Sequence, residues 1–352
     1  MWLFLACTVV GERTRVEPSF LVVSLEEGTA TGSAEAPLPF SATPATVGVR
    51  VQALDISGEP YPWPGTVTVK ARPGRIDPSH LVLDDSGAFA GSVSIEAGFG
   101  PTRVWALDED TDDDRVPGWA AGVSEPVWWS LPTITEMQTT DNHESNQLAG
   151  EFAELRVADR QVVVTATDAA GFWASDLLDA PGNYSGVYVY TFNKPDAEVV
   201  VGAQLSLLTG QNQEYLGSTQ LSFPTLEVVS GTTLAPPDAV ELDTTTCADN
   251  NLMETLEGSR VRASSPTIPD SFTADSEAYL DYEEYGQWPI SFGGCTLYVE
   301  SGGTVPDYFP PDHAGATLTH VEGMIKEVYG KWIFTVLGAE GIGTDTPAKE
   351  TK

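Results

Sequence analysis

Hydrophobic and polar residues alternate with a period of two along the first third of the chain. The clearest runs are Val47–Ala53 and Val67–Ala71, and shorter ones occupy Phe20–Val23 and Ser92–Ile95. Ser-Gly and Pro-Gly turn signals lie between these runs. Because this alternation buries one face of each strand, we expect two sheets to pack as a β-sandwich over residues 19–131.

The remaining two thirds of the chain contain an internal repeat. Four landmarks of the first copy, Gly202, Gly210, Glu214 and Gly217, reappear at one constant offset as Gly315, Gly323, Glu327 and Gly330. The triplet Gly171-Phe172-Trp173 likewise recurs as Gly286-Gln287-Trp288. Landmarks that keep their order while the loops vary in length indicate one fold used twice.

Each copy of the repeat is predicted to contain about five short strands with glycine at the bends. This arrangement is typical of a small closed barrel. In the first copy we place strands over Leu155–Thr167, Gly171–Asp176, Gly186–Thr191 and Gln204–Thr209, with a closing run after Gly217. The sequence therefore predicts an all-β protein with an N-terminal sandwich, one barrel over residues 132–230 and a second over residues 231–346.

Two resemblances bear on these segments. The series Val51–Asp55, Gly65–Val69 and Gly87–Val93 resembles the immunoglobulin-like surface modules of bacteria. The two repeat copies resemble the OB-fold module found beside bacterial extracellular nuclease domains. The motifs that carry this second likeness are Arg156-Val157, Val162–Ala166, Ser185–Tyr190 and Glu214-Tyr215 in the first copy, and Leu256–Arg262, Tyr285-Gly286, Glu322-Gly323 and Tyr329-Gly330 in the second.

As a whole, the array resembles secreted lipoproteins of Gram-negative bacteria that carry an immunoglobulin-like module and tandem OB folds. The resemblance implies an immunoglobulin-like sandwich followed by two OB-fold-like barrels. In the nuclease relatives the chemistry sits in a separate domain with its own Asn, Glu, Asp and His residues. We expect no such domain among these 352 residues.

Composition narrows the range of partners. The chain has 17 Lys+Arg against 51 Asp+Glu, a formal net charge of −34, and 41% hydrophobic residues. This hydrophobic content excludes a wholly disordered chain. Both predicted barrels are acidic, with net charges of −10 over residues 133–230 and −15 over residues 231–346. A phosphate backbone would be repelled, so nucleic acid is disfavoured. No apolar run reaches the roughly 18 residues of a membrane-spanning helix.

The N-terminal residues indicate where in the cell the protein is located. Met1–Ala6 is a short apolar run ending in a small residue, and Cys7 follows it. This resembles the end of a lipoprotein signal, in which the cysteine becomes acylated and holds the protein at a membrane. We therefore interpret residues 1–18 as a truncated signal and tether, and residues 347–352 as a disordered tail; whether the start lies upstream of Met1 is left open. The alternative is a buried strand start with an inert thiol.

The expected location is the cell envelope of a Gram-negative bacterium, through a lipid anchor at the outer membrane, or the secreted fraction. In such an oxidising compartment the two other cysteines, Cys247 and Cys295, form an even pair. We expect a disulfide between them, worth about 4 kcal/mol. A metal pair is the alternative, but no histidine lies nearby in the sequence to complete a zinc site.

The sequence contains no recognisable arrangement of catalytic residues. The histidines His80, His143, His313 and His320 show neither H-x-H nor H-E-x-x-H spacing. Gly182–Gly186 holds its serine one position too late for a nucleophile elbow. Paired carboxylates are so numerous that their presence discriminates nothing. We therefore expect a non-enzyme with no organic cofactor.

One acidic loop is a candidate for a calcium ion. Asp108, Asp110, Asp112 and Asp114 alternate along the chain, and Ca²⁺ takes six to eight oxygen ligands. The EF-hand pattern fails, because Asp113 and Trp119 stand where glycine and glutamate are required. A looser Ca²⁺ site is one interpretation, and a solvated loop is the favoured one.

Exposed aromatic residues are the best candidates for ligand contact. In Val187-Tyr188-Val189-Tyr190 the tyrosines face outward if the valines face the barrel core. We expect stacking on a ligand from Tyr188, Tyr190, Tyr215, Tyr298 and Trp332. Trp173 and Trp288 lie at a landmark shared by both copies and are expected to pack inside the fold instead.

These features favour a non-catalytic surface lipoprotein that serves as an adhesion, binding or scaffold module. The alternative is an accessory polymer-binding protein that works with a separate enzyme. Its ligand would be a glycan in preference to a nucleic acid. For the surface protein in general a protein or a glycan is the expected partner, since stacking and hydrogen bonding need no positive charge. Contact with a membrane is expected only through the lipid anchor, and the oligomeric state is left open.

Overall fold

The computed structural model describes residues 18–40, 44–108, 120–143, 145–146 and 148–344. Regular structure in these ranges is mostly β-strand, which confirms the predicted all-β class. Among these residues, no helix combines the length and apolar character needed to cross a bilayer. The chain divides into two compact units, Met1–Trp129 and Ser130–Lys352.

The N-terminal unit contains two antiparallel sheets around one core. Its strands are β1 (Pro18–Leu25), β2 (Ala45–Asp55), β3 (Thr66–Arg72), β4 (Arg75–Asp77), β5 (His80–Val82), β6 (Ala88–Glu96), β7 (Gly100–Leu107), β8 (Gly122–Val123) and β9 (Val127–Trp129). One sheet has the order β1-β2-β6-β4, and the other has the order β5-β3-β7-β8 with β9 also paired to β7.

Alternation of side chains explains this core. In β2, Val47, Val49 and Val51 point inward and are buried, and Val67 and Val69 of β3 do the same from the other sheet. These residues belong to a single hydrophobic cluster that both sheets supply. The period of two seen in the sequence is therefore the period that fills the interior.

The C-terminal unit begins with a small barrel, here called module A. Its elements are α1 (Ile134–Gln138), β10 (Phe152–Glu154), β11 (Val162–Thr167), β12 (Gly171–Asp176), β13 (Gly186–Tyr190), β14 (Ala203–Tyr215) and β15 (Ser218–Thr233). The pairing runs β11-β12-β13-β15-β14 and returns to β11, so five strands close on themselves, with β10 added beside β14. Strands β13 and β15 are parallel.

Module B follows with a similar strand order. Its elements are β16 (Val240–Glu241), α2 (Asn250–Glu254), β17 (Arg260–Ser264), α3 (Ala278–Tyr285), β18 (Gln287–Phe292), β19 (Cys295–Glu300), β20 (His320–Val328), β21 (Lys331–Thr335) and β22 (Ile342–Gly343). The order is β16-β17-β20-β21-β19-β18, with β19 and β21 parallel and β22 paired to β20. Within it, β17 and β18, which correspond to β11 and β12, form no ladder, so its sheet is not closed as that of module A is. Three 3₁₀ turns lie at Thr246–Ala248, Pro310–His313 and Ala339–Gly341.

The repeated glycines lie at equivalent points of the two modules. Leu216-Gly217 joins β14 to β15, and Tyr329-Gly330 joins β20 to β21. Both residues of each pair have positive φ, with values of 60° and 100° in the first turn and 53° and 75° in the second. Two-residue hairpin turns with positive φ at both positions suit glycine at the second. The sequence repeat thus corresponds to a repeated hairpin.

Two strand bounds differ from the expected ones. The expected strand Leu155–Thr167 is wrong in its first half, because β11 begins only at Val162 and residues 155–161 connect β10 to β11. Strand β14 continues beyond the expected end at Thr209 to Tyr215, since its second half pairs with β15. The long β14–β15 ribbon bends through three register shifts.

The disulfide between Cys247 and Cys295 is present, which confirms the expected pairing. Cys247 lies in the 3₁₀ turn before α2, and Cys295 is the first residue of β19. The bond therefore fastens the segment that carries α2 to the β18–β19 hairpin. Both residues contact the core of module B.

Candidate functional site: an aromatic pocket in the C-terminal unit

A row of five aromatic rings runs along the outside of module A. Its members follow one another at centroid distances of 4.7 Å for Trp173–Tyr188, 6.5 Å for Tyr188–Tyr190, 4.4 Å for Tyr190–Phe192 and 4.7 Å for Phe192–Phe223. We call these five residues the aromatic row. Its inner end, Trp173, is buried, whereas Phe192 and Phe223 at the outer end are 46% and 61% exposed.

Strand alternation produces the first part of the row. Val187 and Val189 of β13 have no exposed surface and fill the barrel, so Tyr188 and Tyr190 project from the opposite face. Trp173 of β12 stands directly across from Tyr188 in the antiparallel register. Trp173 packs with Ala166 and with Met324 of module B, so this end of the row is fixed between the modules.

The outer end of the row depends on an uncommon backbone. Phe192 and Phe223 have φ values of 64° and 52°, in the left-handed region that bulky side chains rarely adopt. The parallel pairing of β13 with β15 sets Tyr190 opposite Ser222, and this brings Phe223 beside the row. Local strain that displays an exposed ring is a feature found at binding sites.

The aromatic row forms one wall of a cavity of about 490 Å³. Module B supplies part of the opposite wall through Gln287, Ile325 and Lys326, and the β14–β15 hairpin supplies Tyr215. This volume lies within the range of about 300–1,000 Å³ that is typical of small-molecule sites. Apolar rings with a few directed polar groups are also the usual lining of such sites.

Hydroxyl and amide groups, together with the Asp168 carboxylate, form part of the polar lining. Ser222 Oγ donates to Gln213 Oε1 at 2.9 Å, and Gln220 Nε2 donates to Ser222 Oγ at 3.2 Å. The hydroxyl of Tyr188 donates to Asp168, 3.1 Å from Oδ2. Burial, the Asp168 charge and this hydrogen bond raise the pKa of Tyr188, so the phenol keeps its proton.

The charge of the pocket's lysine is balanced. Lys326 Nζ lies 2.8 Å from Glu300 Oε2, so the pair offers little free positive charge to a ligand. With amides and hydroxyls as its main hydrogen-bonding groups, the pocket suits an uncharged ligand that has flat apolar faces and a polar rim.

Four glutamates converge next to this pocket, where modules A and B meet. We call Glu214, Glu254, Glu257 and Glu327 the glutamate cluster. Burial, followed by the charges of the other three members, raises the pKa of Glu254 to about 10. Burial also raises the pKa of Glu257, to about 8, and that of Glu214. The Glu257 side chain lines the pocket as well.

Three of the expected stacking residues, Tyr188, Tyr190 and Tyr215, line the pocket. The expectation for Trp332 is wrong, because its ring is 5% exposed in the module B core and its Nε1 donates to Asn250 Oδ1. Tyr298 does not line this pocket, and Lys331 Nζ lies 4.9 Å from the centroid of its ring, so stacking by Tyr298 stays a prediction. Trp173 and Trp288 are both buried.

Two ring-bearing residues of the site were missed in the sequence. Phe192 continues the spacing of Tyr188 and Tyr190 by one further step of two, which is the signal that could have found it. Phe223 carries no such signal, because only the β13–β15 pairing brings it to the row.

The other expected sites have different outcomes. Cys7 lies outside the described residues, as do Asp110, Asp112 and Asp114 of the acidic loop and residues 347–352; Asp108, which follows β7, is described. Within the described ranges, no group of three or more His, Cys, Asp or Glu side chains is arranged to hold a metal ion. Lipidation and the calcium site therefore stay predictions.

The four histidines are not grouped together, and each contacts a different part of the structure. His313 stacks on Tyr308 with centroids 4.7 Å apart, and His143 Nδ1 lies 3.1 Å from Glu327 Oε2. His320 Nε2 lies 3.0 Å from the carbonyl oxygen of Glu340, and His80 Nδ1 lies 3.0 Å from Ser79 Oγ. The aromatic pocket is thus the arrangement with the clearest chemical use.

Compared with protein-family models, curated proteins and solved structures, the chain matches none of them.

Proposed function

We propose that this chain is a non-catalytic binding protein of the bacterial cell surface and that its aromatic pocket binds the sugar rings of a glycan. The observation that carries the proposal is the aromatic row, which ends in two exposed rings on the wall of a cavity of about 490 Å³. Sugar rings have apolar faces that stack on aromatic side chains and hydroxyl rims that bond to amides.

The charge distribution supports an uncharged ligand over a nucleic acid. Modules A and B are both strongly acidic, and Lys326 is neutralised by Glu300. A phosphate backbone needs cations that release its counterions, and this pocket offers few. The role we propose is attachment to, or presentation of, a polysaccharide, alone or beside a separate enzyme.

The proposed arrangement is an immunoglobulin-like module followed by two OB-fold-like modules. The two sheets around one core in the N-terminal unit support the first assignment. The five-stranded closed barrel of module A and the similar strand order of module B support the second. OB folds are small Greek-key barrels that bind oligonucleotides and oligosaccharides, so the fold is compatible with the proposed ligand.

Replacing Phe192 with alanine is expected to weaken glycan binding about tenfold, because one aromatic contact is worth about 0.5–1.5 kcal/mol beyond the area it buries. The measurement is quenching of tryptophan fluorescence, followed by calorimetry, with cello-, xylo- and chito-oligosaccharides and with single-stranded oligo-dT. Phe223→Ala should behave in the same way.

Phe152→Ala is the matched control, because Phe152 is an equally exposed phenylalanine of the same unit (57%) outside the pocket lining. It should bind as the unchanged protein does. Equal losses in the Phe152 and Phe192 variants, or binding of oligo-dT alone, would count against the pocket as a glycan site. No response to any saccharide would favour the scaffold role instead.

We propose export and acylation at Cys7 as the means by which the protein reaches the cell surface. Labelling with [³H]palmitate in a Gram-negative host, with the signal completed by a basic and apolar extension ahead of Met1, is expected to mark the protein and to disappear in Cys7→Ser, because the lipid is attached through that sulfur. Immunoblotting of the same samples controls for protein amount. Label retained by the Cys7→Ser protein would overturn the proposal.

A further inference from the structure

The glutamate cluster brings four carboxyl groups from three chain segments to the junction of modules A and B. Glu214 lies near the end of β14 in module A, whereas Glu254 ends α2, Glu257 precedes β17 and Glu327 lies on β20 in module B. Glu254 and Glu257 are each 2% exposed and Glu327 is 3% exposed. Glu214 is half-buried.

Part of the cluster is well hydrogen-bonded. Glu257 Oε2 accepts from the Thr219 backbone N–H at 2.9 Å, and its Oε1 accepts from the Glu327 backbone N–H at 3.4 Å. Glu214 Oε1 accepts from the Asn146 amide and from the Thr219 hydroxyl. The contact of Glu257 with Thr219 ties module B to the β14–β15 hairpin of module A.

Two carboxyl oxygens in the cluster accept no hydrogen bond. Oε2 of Glu254 and Oε2 of Glu214 are buried without a hydrogen-bond partner. A buried carboxylate with an unpartnered oxygen is costly, and a second negative charge nearby adds to the cost. Glu254 has the least compensation for the cost of burying its carboxyl group, because the side chain is buried and accepts no hydrogen bond.

The surroundings supply little positive charge. His143, on the segment after α1, reaches Glu327 Oε2 at 3.1 Å. Tyr184, between β12 and β13, interacts electrostatically with Glu254 and Asp141. Its hydroxyl donates a hydrogen bond to the carbonyl oxygen of Thr140. In the part of the chain that the structure describes, no lysine or arginine forms an ion pair with any of the four glutamates.

A cluster of this kind must be neutralised by a cation or by protons. The described His, Cys, Asp and Glu residues form no group suited to a metal ion, which leaves protons. We propose that the junction of modules A and B is a pH-sensitive contact, which is tight while Glu254 is protonated and which loosens when the cluster ionises.

The raised pKa values of Glu254 and Glu257 set the direction of the effect. In the unfolded chain both carboxyls titrate near their ordinary value of 4.5, so they release protons that the folded protein keeps. The stabilisation is complete below pH 4.5 and is lost as the pH rises through 8 toward 10. Each proton lost on unfolding lowers the folding equilibrium constant about tenfold per pH unit.

The contact also bears on the pocket, because Glu257 and Thr219 line it. A looser junction would separate Lys326 and Gln287 of module B from the aromatic row of module A. The pH-sensitive contact itself needs no ligand, so it can be tested whether or not the pocket binds glycans.

The test is the thermal midpoint of the full chain without ligand between about pH 6 and pH 8.5, a window in which few ordinary groups other than histidine titrate. The midpoint of the C-terminal unit is expected to fall by about 4 °C or more across this window. Glu254→Gln imitates the protonated carboxyl, so it should match the unchanged protein near pH 6 and exceed it near pH 8.5.

Three controls make the result decisive. Glu241→Gln removes an exposed glutamate of β16 and should keep the full pH dependence. His143→Gln should keep it too, because the proposal places the proton on glutamate. Addition of EDTA or of millimolar CaCl₂ should leave the midpoint unchanged, since protons, not metal ions, neutralise the cluster.

A midpoint that is flat from pH 6 to pH 8.5 in the unchanged protein would overturn the proposal, as would the same decline in Glu254→Gln. Loss of the decline in His143→Gln would assign the effect to the histidine and would also overturn it. A rise in the midpoint with CaCl₂ would show a cation in place of the proton. None of these outcomes depends on glycan binding.

Discussion

Trp288→Ala is expected to lower the free energy of unfolding of the C-terminal unit by about 3–5 kcal/mol, the usual cost of removing a buried tryptophan. Trp288 is completely buried at the centre of module B, and its ring lies 5.8 Å from that of Tyr308. Its Nε1 donates to Ser301 Oγ at 2.9 Å, so the substitution removes a large side chain and also leaves a buried hydroxyl without its donor.

The measurement for Trp288 is denaturant unfolding followed by near-ultraviolet circular dichroism, with hydrogen exchange to locate the transition in the C-terminal unit. Tyr285→Ala is the matched control, because Tyr285 is an aromatic residue of module B that is 58% exposed and should cost clearly less. Equal losses in the two variants would mean that module B is not organised around Trp288.

The double variant Cys247→Ala/Cys295→Ala is expected to lose about 2–5 kcal/mol of stability, because the bond no longer restricts the unfolded chain. The two cysteines are 48 positions apart in the sequence, so the closed loop is long and includes both α2 and α3. Long loops lose the most conformational freedom when they are closed.

Thermal midpoints with and without reductant check the prediction for the disulfide. The unchanged protein should melt earlier after reduction, and the double variant should melt at the lower temperature under both conditions. Cys7→Ser is the control and should behave as the unchanged protein does. An identical midpoint for the double variant and the unchanged protein would show that the bond contributes nothing to folding stability.

Local patterns proved sufficient for much of the architecture. Alternation in Val47–Ala53 and in Val187–Tyr190 predicts which side chains enter a core, because the strand geometry that sets their direction is local. The pairs Leu216-Gly217 and Tyr329-Gly330 mark equivalent hairpins, since glycine accommodates the positive φ that such a turn needs. The pairing of Cys247 with Cys295 followed from the count of cysteines.

The aromatic row was only partly predictable. Tyr188 and Tyr190 show their outward direction in the alternation, but Phe223 joins them only through the parallel pairing of β13 with β15. Trp332 carries the same aromatic signal as these residues and yet is buried beside Asn250. An aromatic residue in the sequence indicates only that its ring favours apolar contact. The fold determines whether that contact is made inside a core or with a ligand.

The all-β class, the repeat, the disulfide and the acidic character of both modules follow from the amino-acid sequence alone, because each depends on local spacing or on composition. Which of the 51 acidic residues are buried together depends instead on how the chain folds. Glu214, Glu254, Glu257 and Glu327 meet because modules A and B pack against each other, and no local pattern separates them from the solvated carboxylates. Burial acts on their protons through desolvation, which is a property of the assembled fold.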